Sequence, residues 1–80
     1  MKTSKMMKII NKNIKSGNTI LSQEDVKKLF GKCNENLAED LKNLDCEVDL
    51  TKGAYTVHLT RTFSKEEIEC EELLEEFTNF

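Results

Sequence analysis

Residues 46–61 restrict the fold more than any other part of this chain. Cys46, Val48 and Leu50 alternate with Glu47 and Asp49, and Tyr55, Val57, Leu59 and Arg61 alternate with Thr56, His58 and Thr60. A period of two, with β-branched residues and an intervening Thr51-Lys52-Gly53, predicts a β-hairpin. Gly53 is suited to a positive φ, as a type I turn closed by a G1 bulge requires. A two-stranded hairpin is marginal in water by itself. The rest of the 80-residue chain must therefore supply apolar cover for one of its faces.

The flanks supply that cover as helices. In Leu21-Ser22-Gln23-Glu24-Asp25-Val26, Ser22 is placed to cap a helix, Asp25 stands at the third helical position, and Leu21 and Val26 form a hydrophobic staple. Val26, Leu29, Phe30, Cys33, Leu37, Leu41 and Leu44 follow at three- and four-residue steps, so one helix is expected over 22–44, with a break near Gly31–Asn36 as the alternative. The same device recurs at Phe63-Ser64-Lys65-Glu66-Glu67-Ile68, where Ser64 and Glu67 make a full capping box and Phe63 and Ile68 the staple. Ile68, Leu73, Leu74, Phe77 and Phe80 are expected to form its buried stripe, and Glu66, Glu69, Glu72 and Glu76 its solvated face.

The head is ambiguous. Met7 and Ile9 alternate like a strand, whereas Met6, Met7, Ile10 and Ile14 fit a helix ending at Gly17. Because the hairpin would gain from a third strand, residues 6–11 are assigned to one. The expected fold is a small single α+β domain over 1–80, in the order β-α-β-β-α, with two amphipathic helices packed on an antiparallel sheet. The alternative order is α-α-β-β-α. Residues 1–5 are expected to be a disordered lysine-bearing terminus.

Chemistry is sparse. His58 stands mid-strand with no apparent orienting partner, and no nucleophile signature surrounds Cys33 or Cys70. Cys33, Cys46 and Cys70 are odd in number and widely spaced, which suits free thiols in a reducing cytoplasm better than a disulfide framework or a zinc set. The three glycines form no phosphate-cradling loop, and the acidic residues form no EF-hand loop. No signal-peptide core or membrane span is present in the sequence. The expectation is therefore a non-enzymatic protein with no cofactor and no metal.

Charge is segregated. Residues 1–20 carry five lysines and no acid, and residues 64–80 carry seven glutamates against Lys65, within a net charge of −3. A one-signed surface can steer and hold a basic partner. Glu66, Glu69, Glu72, Glu75 and Glu76, with Asp45, Glu47 and Asp49, are the candidate partner-binding residues. On this reading the chain is a small acidic regulatory or inhibitory protein that docks on a basic protein surface, its carboxylates standing in for the phosphates of a nucleic acid. In size and acidity it resembles phage-encoded inhibitors, anti-CRISPR proteins among them. In element order and its acidic last helix it is similar to the DNA-damage-inducible DinI proteins, with no motif that transfers residues.

Two alternatives stand beside it. The first is a DNA-binding regulator, in which 22–44 splits into a helix-turn-helix and 46–61 forms a wing. Direct nucleic-acid binding is disfavoured, because Glu39 and Asp40 lie on the would-be recognition helix and only one arginine is present. The second is a homodimer that buries Phe77 and Phe80 across a two-fold axis.

Overall fold

The computed structural model describes residues 1–78, apart from the side chain of Lys52, so the expected role of Phe80 lies outside the described residues. The chain forms an α+β domain of four α-helices and a three-stranded antiparallel sheet. In order these are α1 (Thr3–Lys15), β1 (Ile20–Leu21), α2 (Gln23–Phe30), α3 (Glu35–Asn43), β2 (Glu47–Asp49), β3 (Thr56–His58) and α4 (Lys65–Thr78). A single 3₁₀ turn, Thr51–Gly53, joins β2 to β3.

The hairpin pairs Val48 with Val57, and Glu47 and Asp49 with His58 and Thr56. Gly53 has the expected positive φ of 76°. The third strand comes from an unexpected place. Residues 6–11 are helical, contrary to the strand assigned there, and Ile20–Leu21 pairs with β3 instead. The Leu59 amide donates to the Thr19 carbonyl at 2.8 Å and extends that pairing. The central strand is thus β3, in the order β1-β3-β2. The head is helical because Met6, Met7 and Ile10, one turn apart, can all reach the core from one side, and all three are buried. The helix begins at Thr3 and buries Ser4, inside the segment expected to be disordered.

The helix expected over 22–44 is two helices. Gly31 ends α2 in the left-handed region at φ 76°, its amide donating to the Lys27 carbonyl. Asn34 then starts α3 by accepting from the Leu37 amide at 2.8 Å. The expected capping box is present at the start of α2, where Ser22 Oγ accepts from the Asp25 amide and Asp25 Oδ2 from the Ser22 amide. The break lets Val26 and Phe30 of α2 and Leu37 and Leu41 of α3 converge on Leu21, Val57, Leu59 and Phe63. Four residues, Gly31–Asn34, separate α2 from α3, and the hairpin follows. This is the connectivity expected of the helix-turn-helix with a wing.

Candidate docking surface

The last helix is mounted from both ends of the chain. Its capping box is complete, with Ser64 Oγ accepting from the Glu67 amide at 3.1 Å and Glu67 Oε1 from the Ser64 amide at 3.0 Å. The Glu67 carboxyl is held below its usual range, first by that Ser64 amide and then by Arg61. Arg61 stacks 4.4 Å from the Phe63 ring centroid and bridges Asp45 and Glu67. Asn11 of α1 grips the segment leading into α4: its Nδ2 donates to the Phe63 carbonyl at 2.8 Å, and its Oδ1 accepts from the Phe63 amide at 2.7 Å.

Further along, the contact between α1 and α4 is polar. Glu75 accepts from the Ser4 amide at 3.0 Å and from the Ser4 hydroxyl at 2.6 Å. Its carboxyl is thereby held below the usual range, chiefly by the hydroxyl. Lys8 lies 3.3 Å from Glu72. The side chains of α4 turned toward the domain are Ile68, Glu71, Glu72 and Glu75, which are half-buried.

The expected buried stripe therefore faces the other way. Leu73, Leu74 and Phe77 are 56%, 54% and 70% exposed, and among its described residues α4 buries no side chain. Helical geometry gives the reason. Phe77 lies nine residues beyond Ile68, and at about 100° per residue the two point in opposite directions. Ile68 packs against the core, as the staple with Phe63 requires, so the stripe through Cys70, Leu73, Leu74 and Phe77 must point out. Carboxylates flank it on both sides. Glu69, Glu72 and Glu76 follow one edge at three- and four-residue steps, Glu67 and Glu71 the other, and Glu66 stands at its start.

The eight acidic candidates stand in different surroundings. Glu66, Glu69 and Glu76 are exposed on α4, with Lys65 3.9 Å from Glu69. Glu72 and Glu75 are engaged by α1, and Asp45 by Arg61. Glu47 stands on the outer face of the sheet opposite His58. Asp49 accepts from the hydroxyl and amide of Thr51, which hold its carboxyl below the usual range. Asn11 and the outward stripe went unread in the sequence. For the stripe a signal existed, in the half-turn between Ile68 and Phe77.

His58 lies between Ile20 and Glu47 on the outer face of the sheet, while Cys33 borders a cleft with Tyr55, and Cys70 lies on α4. All three cysteines are free thiols. Burial pushes the Cys46 thiol up to about 11. Among the described residues, no three of His, Cys, Asp and Glu come together as a metal-binding set, and no helix is long and apolar enough to cross a membrane. The outward residues of α3 include Glu35, Asn36, Glu39, Asp40 and Asn43, an acidic face. No protein-family model, curated protein or solved structure matches the chain.

Proposed function

We propose that this is a non-catalytic regulatory or inhibitory protein of the cytoplasm that acts by docking on another protein through the outward face of α4. The exposure of Leu73, Leu74 and Phe77 on one helical face carries this reading. Contiguous apolar surface rimmed by polar groups is characteristic of interaction sites. A stripe of three large apolar side chains that contributes nothing to its own core is the most concentrated such feature among the described residues. A narrower form is an inhibitor that keeps nucleic acid off a basic protein surface, in the manner of the phage-encoded inhibitors. Glu66, Glu69 and Glu76 are the exposed α4 carboxylates that neither α1 nor Arg61 engages, and they would stand where phosphates would.

The test is capture of a partner by the immobilised chain, run beside two variants whose folds are checked by circular dichroism. Leu73→Gln with Phe77→Gln removes the stripe without adding charge. The triple change of Glu66, Glu69 and Glu76 to Gln removes these carboxylates. A partner lost by the first variant supports the reading, and a further loss by the second supports the narrower form. A partner retained by the first variant refutes the assignment of this face.

The DNA-binding regulator is kept as a second reading, because the α2–α3 break and the hairpin give the required connectivity. Its chemistry is unfavourable, since the face of α3 that would enter a groove carries carboxylates that phosphates repel. A salt-dependent mobility shift with duplex DNA would revive it.

A further inference from the structure

We infer that the occupant of the outward α4 face is a basic amphipathic helix of a partner protein, laid along α4 with its own apolar stripe against Cys70, Leu73, Leu74 and Phe77. The inference rests on the docking role given to that face and adds the chemistry of the partner. Three observations lead to it.

The first is the saturation of the backbone. Within α4 the amides and carbonyls are committed to the helical ladder, so the face offers side chains only, and an added strand has no edge to pair with. The second is the length of the stripe. From Cys70 to Phe77 it spans about 10 Å along the axis, the reach of two helical turns. A second helix matches that with anchors at three-, four- and seven-residue steps.

The third is charge. Lys65 is the one basic residue of α4, against seven glutamates. Carboxylates lie on both edges of the stripe; among the described residues Glu66 and Glu76 have no cation within 4 Å, whereas Glu69 lies 3.9 Å from the exposed Lys65 and Glu67 is bridged by Arg61. A second copy of this chain packed α4 against α4 would set glutamate against glutamate in either helix orientation, which opposes association. Lysine or arginine side chains on both edges of a partner helix instead meet a carboxylate at nearly every step. Their aliphatic stems would cover the rim of the apolar stripe while the cationic heads reach the carboxylates.

The experiment uses the full chain and two fluorescein-labelled amphipathic peptides, each of about four turns. Both carry the same leucine and phenylalanine stripe, with lysine and arginine on the edges of one and glutamate on the edges of the other. Fluorescence polarisation is expected to show the basic-edged peptide bound at least about tenfold more tightly than the acidic-edged one, and weakened by added salt. Leu73→Gln with Phe77→Gln, which leaves every charge in place, is expected to lose about tenfold, and Glu69→Gln with Glu76→Gln to lose less. Equal binding of the two peptides, no binding of either, or full binding by the Leu73/Phe77 variant overturns the inference.

Light scattering separates the remaining outcome. A dimer of the parent chain that becomes a monomer in Phe77→Gln makes a second copy the occupant and overturns the basic helix. If the peptides fail while partner capture still depends on Leu73 and Phe77, the docking face stands and only the nature of its occupant is wrong.

Discussion

Replacing Asn11 by alanine tests how the domain holds its last helix. The side chain makes two short hydrogen bonds to one residue, taking the Phe63 amide at 2.7 Å and giving to the Phe63 carbonyl at 2.8 Å. Only an amide can satisfy both at once, because a donor and an acceptor must sit side by side. Alanine removes both bonds and leaves two backbone groups beside the buried Phe63 ring without protein partners. A net loss of about 1 kcal/mol per bond, raised toward 2 where water cannot replace the partner, gives about 2–4 kcal/mol. Alanine returns about 0.5 kcal/mol through its better helix propensity, which leaves about 1.5–3.5 kcal/mol. For a chain of this size that corresponds to a fall in Tm of very roughly 10–20 °C. Urea unfolding of parent, Asn11→Ala and Asn11→Asp gives the free energies directly. The aspartate variant keeps the acceptor but turns a second oxygen on the Phe63 carbonyl, so it is expected to be destabilised as well. An alanine variant within about 0.5 kcal/mol of the parent, the range of ordinary surface changes, would refute the clamp.

Other positions give independent checks. Gly31→Ala is expected to cost about 1 kcal/mol in urea unfolding, from the left-handed conformation alone, since an added Cβ meets nothing within 4 Å. Gly31→Asn should cost less, and equal stability of Ala and Gly would contradict the break between α2 and α3. For Glu75 the folded carboxyl titrates below its usual value, so its bond to Ser4 adds stability above the unfolded-state pKa and loses it as pH falls through the lower folded value. A carbon-detected titration should show that low midpoint moving upward in Ser4→Ala; an unmoved midpoint would disconnect Glu75 from Ser4. Iodoacetamide at neutral pH should modify exposed Cys70 well before buried Cys46, whose thiol is pushed up to about 11. Mass spectrometry reads the order, and equal rates would mean that the core opens readily.

Local chemistry written in a few adjacent residues was legible, and features set by distant residues were not. The two capping boxes and the register of alternation across the hairpin follow from neighbours a few positions apart, and the structure has them. The third strand is two residues long, too short to leave any periodicity, whereas the alternation at residues 6–11 offers a hairpin the support it needs. At Gly31 an apolar stripe that runs on in register past the glycine hides the turn it makes. In α4 the apolar residues fall on two faces. The angle between Ile68 and Phe77 separates them, and only the anchoring of Ile68 by Phe63 decides which side is inward. The carboxylates stand out in the sequence as a run, but the cations Lys8 and Arg61 that engage them come from other parts of the chain.

The division of labour between α4 and the rest of the domain has an evolutionary side. The core is closed by residues from Met6 to Phe63, so substitutions at Leu73, Leu74 or Phe77 do not disturb it. Mutation can therefore explore the outward face with little loss of foldability. If the outward face docks a partner as proposed, a lineage carrying this domain could change that partner by rewriting a few exposed positions of one helix. Ile68, Glu72 and Glu75, on the opposite side of that helix, would stay fixed as its mount.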